Sequence, residues 1–158
     1  MLRQVVLGCA FASAVAAAPS SARADGPFGS FTGAWTGSGQ VRWAGGQSES
    51  LKCKVYYTNK SANDLALALR CASASAKIEM RANLAHAGGA LTGTWEERSY
   101  NASGSVAGKA SNNHLTMSIN GGGLSGQMSV QVNGGSQTVS ISTNGAGFTG
   151  VNIQLSKG

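Results

Sequence analysis

Residues 51–73 read LKCKVYYTNKSANDLALALRCAS, two runs of alternating apolar and polar side chains on either side of a polar turn. Leu51, Cys53, Val55 and Tyr57 share one parity, Lys52, Lys54 and Tyr56 the other, and Leu65, Leu67, Leu69 and Cys71 resume the pattern beyond the turn. A period of two belongs to a strand with one dry face and one wet face, because successive side chains of extended backbone point to opposite sides. A symmetric antiparallel register over this hairpin pairs residues whose numbers sum to 124, which sets Cys53 directly opposite Cys71. Opposed Cα atoms lie roughly 4.5–5.5 Å apart, within reach of a disulfide. Closing the loop stabilises the fold by about 3 kcal/mol. Neither a Cys-x-x-Cys motif nor a Cys/His cluster accompanies the pair, so the bridge reads as structural.

The same alternation recurs outward in both directions. Trp35, Gly37, Gly39, Val41 and Trp43 form one apolar row, and Ile78, Met80, Ala82 and Leu84 another. Leu115, Met117 and Ile119, then Met128, Val130 and Val132, then Val139 and Ile141 continue it. Between the rows stand Gly- and Asn-rich turns at 45–46, 88–89, 112–113, 120–123, 133–135 and 144–147. Such residues accept the positive φ of tight hairpins. The expected fold is all-β, an up-and-down antiparallel meander closed into a small barrel of eight to ten strands, since closure removes exposed edges. An open sandwich is the alternative. Gly37, Gly39, Gly93, Gly104, Gly108 and Gly126 fall on the apolar parity, where a missing Cβ marks bending or close backbone approach. Turning the barrel inside out, as in an outer membrane, would crowd Lys52, Lys54, Arg70, Lys77 and Arg81 into a narrow lumen.

The N-terminus reads as an export signal. Arg3 is followed by an apolar stretch over 5–18 and by Ala22-Arg23-Ala24, a small-x-small cleavage site. The stretch is shorter than the roughly 18 residues of a membrane span. The expected organisation is a cleaved signal peptide at 1–24, a flexible N-terminal arm at 25–30 and a single barrel domain at 31–158. Taking 24 residues from 158 leaves 134, enough for one core. Of three cysteines Cys9 leaves with the signal, and the even remainder suits the oxidising periplasm or extracellular space. Arg3 and Arg23 leave too, so the net charge of +6 falls to +4. No charged residue lies between Lys109 and Lys157. The basic residues of the first half admit an anionic envelope component as a partner. Nucleic acid is excluded by low charge density and the lack of an exposed aromatic platform.

Residues that could do chemistry are few. His86 reads as a turn residue and His114 as a strand start, and neither adjoins a Gly-x-Ser-x-Gly elbow or a second metal ligand. Glu96 and Glu97 are adjacent and therefore face opposite ways, which rules out a facing carboxylate pair. Glu97 takes the inward parity at the barrel rim, where Arg98 or Arg81 is its expected partner and a ligand anchor its functional role. No enzyme activity, cofactor or metal is expected. The interior remains. Trp35, Trp43, Tyr57 and Trp95 would wall a site for a small, largely apolar ligand, with Glu97 at its mouth; a solidly packed interior is the other reading.

Gly89-Ala90-Leu91-Thr92-Gly93-Thr94-Trp95-Glu96, followed by Ser103-Gly104-Ser105-Val106-Ala107-Gly108, resembles a strand pair of avidin-type barrels. Gly33-Ala34-Trp35 is similar to the Gly-x-Trp that opens many lipocalin-related (calycin) chains. The avidin resemblance implies eight strands and a biotin site among several tryptophans. This chain has no tryptophan after Trp95, so only the architecture carries over. The whole chain also looks like small exported bacterial proteins. A looser resemblance is to periplasmic inhibitors of secreted metalloproteases, which implies that an arm such as Asp25-Gly26-Pro27-Phe28-Gly29-Ser30 enters a protease cleft. An interaction protein of the periplasm or envelope is thus the alternative function.

Overall fold

In the computed structural model, which describes residues 26–145 and 147–158, alternation becomes ten strands. They are β1 (Gly33–Trp43), β2 (Ser48–Asn59), β3 (Asp64–Ala72), β4 (Lys77–Ala87), β5 (Ala90–Glu97), β6 (Ala102–Ser111), β7 (His114–Gly121), β8 (Leu124–Asn133), β9 (Ser136–Asn144) and β10 (Phe148–Lys157). Each pairs antiparallel with the next, and β10 returns to β1 from Trp35↔Lys157 to Trp43↔Phe148, closing the barrel. That last ladder removes the sandwich alternative. The expected signal segment and Asp25 lie outside the described residues. Among the described residues no helix is long and apolar enough to cross a membrane.

The 51–73 hairpin has the register its alternation predicts. Cys53 pairs with Cys71 at a Cα separation of 4.2 Å, and the disulfide is formed. Lys54 faces Arg70 on the outer surface, and Arg70 in turn faces Glu79, so the like-charge pair has an acidic neighbour. Leu51, Cys53, Val55 and Tyr57 are buried while Lys52, Lys54 and Tyr56 are exposed. On this hairpin the apolar parity faces inward and the charged parity outward, the reverse of a membrane barrel.

Inward glycines let neighbouring strands come close. A Cβ on Gly37 would sit 1.9 Å from the Gln154 carbonyl oxygen, and one on Gly39 would sit 2.0 Å from that of Asn152. Both lie on the β1–β10 seam, where the strands must coil tightly to close the barrel.

One end of the barrel is plugged. Residues preceding β1 turn across it through hydrogen bonds from Gly29 N–H to Gly26 O and from Phe31 N–H to Phe28 O. Phe28 and Phe31 are fully buried there, and Ser30 Oγ donates to Asn112 O. The segment read as a flexible arm therefore packs against the barrel from Gly26 onward. Gly26, Gly29 and Ser30 suggested freedom, but burying Phe28 outweighs the entropy of ordering so short a segment.

Candidate functional site: an apolar cavity at the open end

At the opposite end the interior is not filled. A cavity of about 350 Å³ opens among the turns 44–47, 73–76, 98–101 and 122–123 and beside Gly145 and Gly147. Trp43, Met80, Trp95, Leu124, Ile141 and Phe148 are prominent in its wall, which also includes Cys71 of the disulfide. A larger hollow of about 650 Å³ lies on the outer face of β2–β6 around Tyr56, Arg81 and Glu96. It is more open to water and has a mixed polar and apolar lining, so the more enclosed, apolar space is the better ligand site.

Local sequence explains how the tryptophans reach this wall. Trp95 is flanked by small residues on both neighbouring strands, Ala82 on β4 and Gly104 on β6, which leaves its ring room to lie inward. Trp43 ends β1 just past a register shift between Arg42 and Trp43. A bulge there bends the strand end and holds the half-buried ring over the mouth.

Glu97 stands at the rim, but its partners are backbone. One carboxylate oxygen accepts from Glu79 N–H at 2.8 Å and the other from Tyr100 N–H at 2.6 Å. These contacts stand where Arg98 or Arg81 was expected, because Arg81 lies opposite Glu96 on the outer face and Arg98 follows Glu97 on the other parity. The carboxylate thus fixes the 98–101 turn, in which Asn101 has a φ of 52° and Tyr100 is left 65% exposed at the mouth. Glu49, on the inward parity of β2, plays a matching part. Its carboxylate takes the Ser75 hydroxyl at 2.6 Å and clamps the 73–76 turn. The hydroxyls of Ser73 and Ser75 hold its pKa below the ordinary carboxylate range.

Trp35 and Tyr57 are elsewhere. Trp35 Nε1 donates to Phe31 O at 2.7 Å, and the Lys157 ammonium lies 5.3 Å from its ring centre. Tyr57 OH donates to Gln137 Oε1 at 3.1 Å, and burial pushes its phenol pKa up. Both belong to the plugged half. Of the five residues named from sequence, Trp43, Trp95 and Glu97 meet at the cavity, and Trp35 and Tyr57 do not. His86 lies in β4 rather than in a turn, packed edge-on against Phe28 at 6.3 Å. His114 Nε2 is 3.0 Å from Ser129 Oγ. Neither histidine reaches the cavity.

No protein-family model matches the chain, and no curated protein matches it. Solved structures do. The barrel of Rv2717c from M. tuberculosis aligns at a TM-score of 0.71 over 83% of this chain and 94% of that one, with 12% identity. The S-type phycobiliprotein lyase CPES from Guillardia theta aligns at 0.59 over 83% and 90%, with 9% identity. The barrel EF1p2_mFAP2b, bound to DFHBI, aligns at 0.51 over 82% and 94%, with 8% identity. The likeness is one of fold. At these identities it establishes a shared closed barrel and no common chemistry.

Proposed function

We propose that the protein is an exported, non-enzymatic barrel that takes a small, largely apolar ligand into the open half of its interior. The cavity carries this reading. Its volume of about 350 Å³ is at the lower end of the range of small-molecule sites, and its wall is mostly apolar. An engineered apolar cavity of about 150 Å³ takes one benzene, so this space suits roughly two fused rings. That a barrel of similar fold is bound to DFHBI supports a binding role for this one. The carboxylates near the mouth are engaged in holding turns, which favours binding over acid–base chemistry. A disulfide suits an oxidising compartment and so supports export. Exposed Lys52, Lys54 and Arg70 on β2 and β3 offer an anionic envelope component a place to dock. The inhibitor-like alternative needs a free arm, and residues from Gly26 on are packed.

Native mass spectrometry of protein exported and purified without detergent tests the proposal. A mass excess that disappears on denaturation is the expected result. A bare native mass, together with no uptake of naphthalene-sized probes, would overturn it.

A further inference from the structure

The cavity wall has hydrogen-bonding capacity left over, and all of it that the protein leaves buried is on the donor side. Among the described residues that line the space, Ser73 Oγ accepts from Ser75 and Ala76 N–H, and Thr143 Oγ1 donates to Phe148 O. Both oxygens of Glu97 already take backbone N–H groups. The indole Nε1–H groups of Trp43 and Trp95 are different, since both are buried and have no partner. Trp35, the third tryptophan of the chain, has its donor satisfied by Phe31 O. An unpaired buried donor costs free energy, and buried indole N–H groups ordinarily find an acceptor. Among the described residues Glu97 is the only charged one lining the space, which disfavours an anionic ligand.

We infer that the ligand is a neutral, two-ring-sized apolar molecule bearing a hydrogen-bond acceptor such as a carbonyl oxygen, which the indole N–H of Trp95 meets. This rests on the reading that the cavity binds a ligand at all. Trp95 leads because it is 6% exposed and its donor makes no hydrogen bond. The Trp43 donor leans toward the Glu49 carboxylate at the rim without reaching hydrogen-bond geometry, and is the second candidate. Trp95 lines the apolar cavity and, through the thin wall made by Ala82 and Gly104, also borders the outer hollow. A fatty acid or another carboxylate is a poorer occupant, since it would bring a second negative charge beside Glu97 with no Lys or Arg among the described lining residues to meet it.

Three probes of nearly one shape separate these terms: 2-ethylnaphthalene, 2-acetylnaphthalene and 2-naphthoate. Calorimetric titration of the full disulfide-bonded protein should rank the ketone first, about tenfold tighter than the hydrocarbon, with the carboxylate weakest. In the ¹H–¹⁵N spectrum of the same protein, the ketone should move the Trp95 indole resonance downfield while the hydrocarbon does not. The Trp35 indole, already bonded, should stay in place with either. Trp95→Phe should bring the ketone-to-hydrocarbon affinity ratio close to one. If hydrocarbon and ketone bind equally and the indole resonances respond alike, the inference fails and the cavity remains a purely apolar site. If no probe binds, the proposed function fails and the inference with it. The spectroscopic arm needs no variant, so a poorly folding Trp95→Phe leaves the test intact.

Discussion

The two ends of this barrel are made from the same alternating strands, and they are filled differently. At the plugged end the aromatic donors are met, since Trp35 bonds Phe31 O and Tyr57 bonds Gln137, whose own Nε2 is the one buried side-chain donor left unpaired there among the described residues. At the open end the donors of Trp43 and Trp95 are unmet, and about 350 Å³ stays empty. What differs is the chain that lies beyond the strands. Residues 26–32 deliver Phe28 and Phe31 to one end, while among the described residues short turns alone surround the other. A barrel of ten strands encloses more space than its own inward side chains fill, so a solid interior needs an extra segment. Where none arrives, a cavity persists.

The largest expected effects are at the plugged end. Phe28→Ala and Trp35→Ala should each cost about 3–5 kcal/mol in urea unfolding, because both side chains are fully buried. Trp43→Ala, at a half-buried ring beside open space, should cost only about 1–2 kcal/mol. Equal losses at Trp35 and Trp43 would erase the distinction between the ends. Replacing Cys53 and Cys71 together by Ala should cost about 3 kcal/mol, read from the same denaturant midpoints. Added volume sharpens the contrast further. Leu65→Phe, in the packed half, should destabilise by about 1–3 kcal/mol. Leu124→Phe, in the cavity wall, should stay within about 0.5 kcal/mol of wild type and weaken naphthalene-probe binding.

The smallest effect is alkaline. Burial keeps Tyr57 neutral and raises its pKa in the folded state, above about 10 in the unfolded chain. Its contribution is therefore complete below about pH 10 and is lost as pH rises beyond it. Melting temperatures taken from about pH 9 to about pH 11 should fall less steeply for Tyr57→Phe than for wild type. Parallel slopes would mean that Tyr57 is not sealed in the plugged half.

The wall of the barrel was legible in the sequence, its contents less so. Alternation gave both the strands and the inward set, and the Cys53–Cys71 pairing followed from one hairpin sum. Gln137, 1% exposed, is the polar exception on the parity of Val139. Glu49 lies on the parity of Leu51 in the same way. Phe28 was harder to place, because a lone aromatic between glycines has no periodicity to declare that it is buried. Which tryptophans line a cavity could not be read from parity, since parity gives the face of a strand and not the end of a barrel. Trp35 and Trp95 share the inward face, and only the position of the plug separates their roles. The partners of Glu97 were hidden for a related reason. Backbone N–H groups at strand ends carry no mark in the sequence.

Pressurising crystals of the protein with xenon tests the central claim most directly, because dry apolar cavities bind it. Xenon density beside Trp43, Trp95 and Ile141, with none among Phe28, Phe31 and Trp35, is the expected result. An open end without xenon, or xenon sites at the plugged end, would contradict a barrel solid at one end and built to receive a ligand at the other.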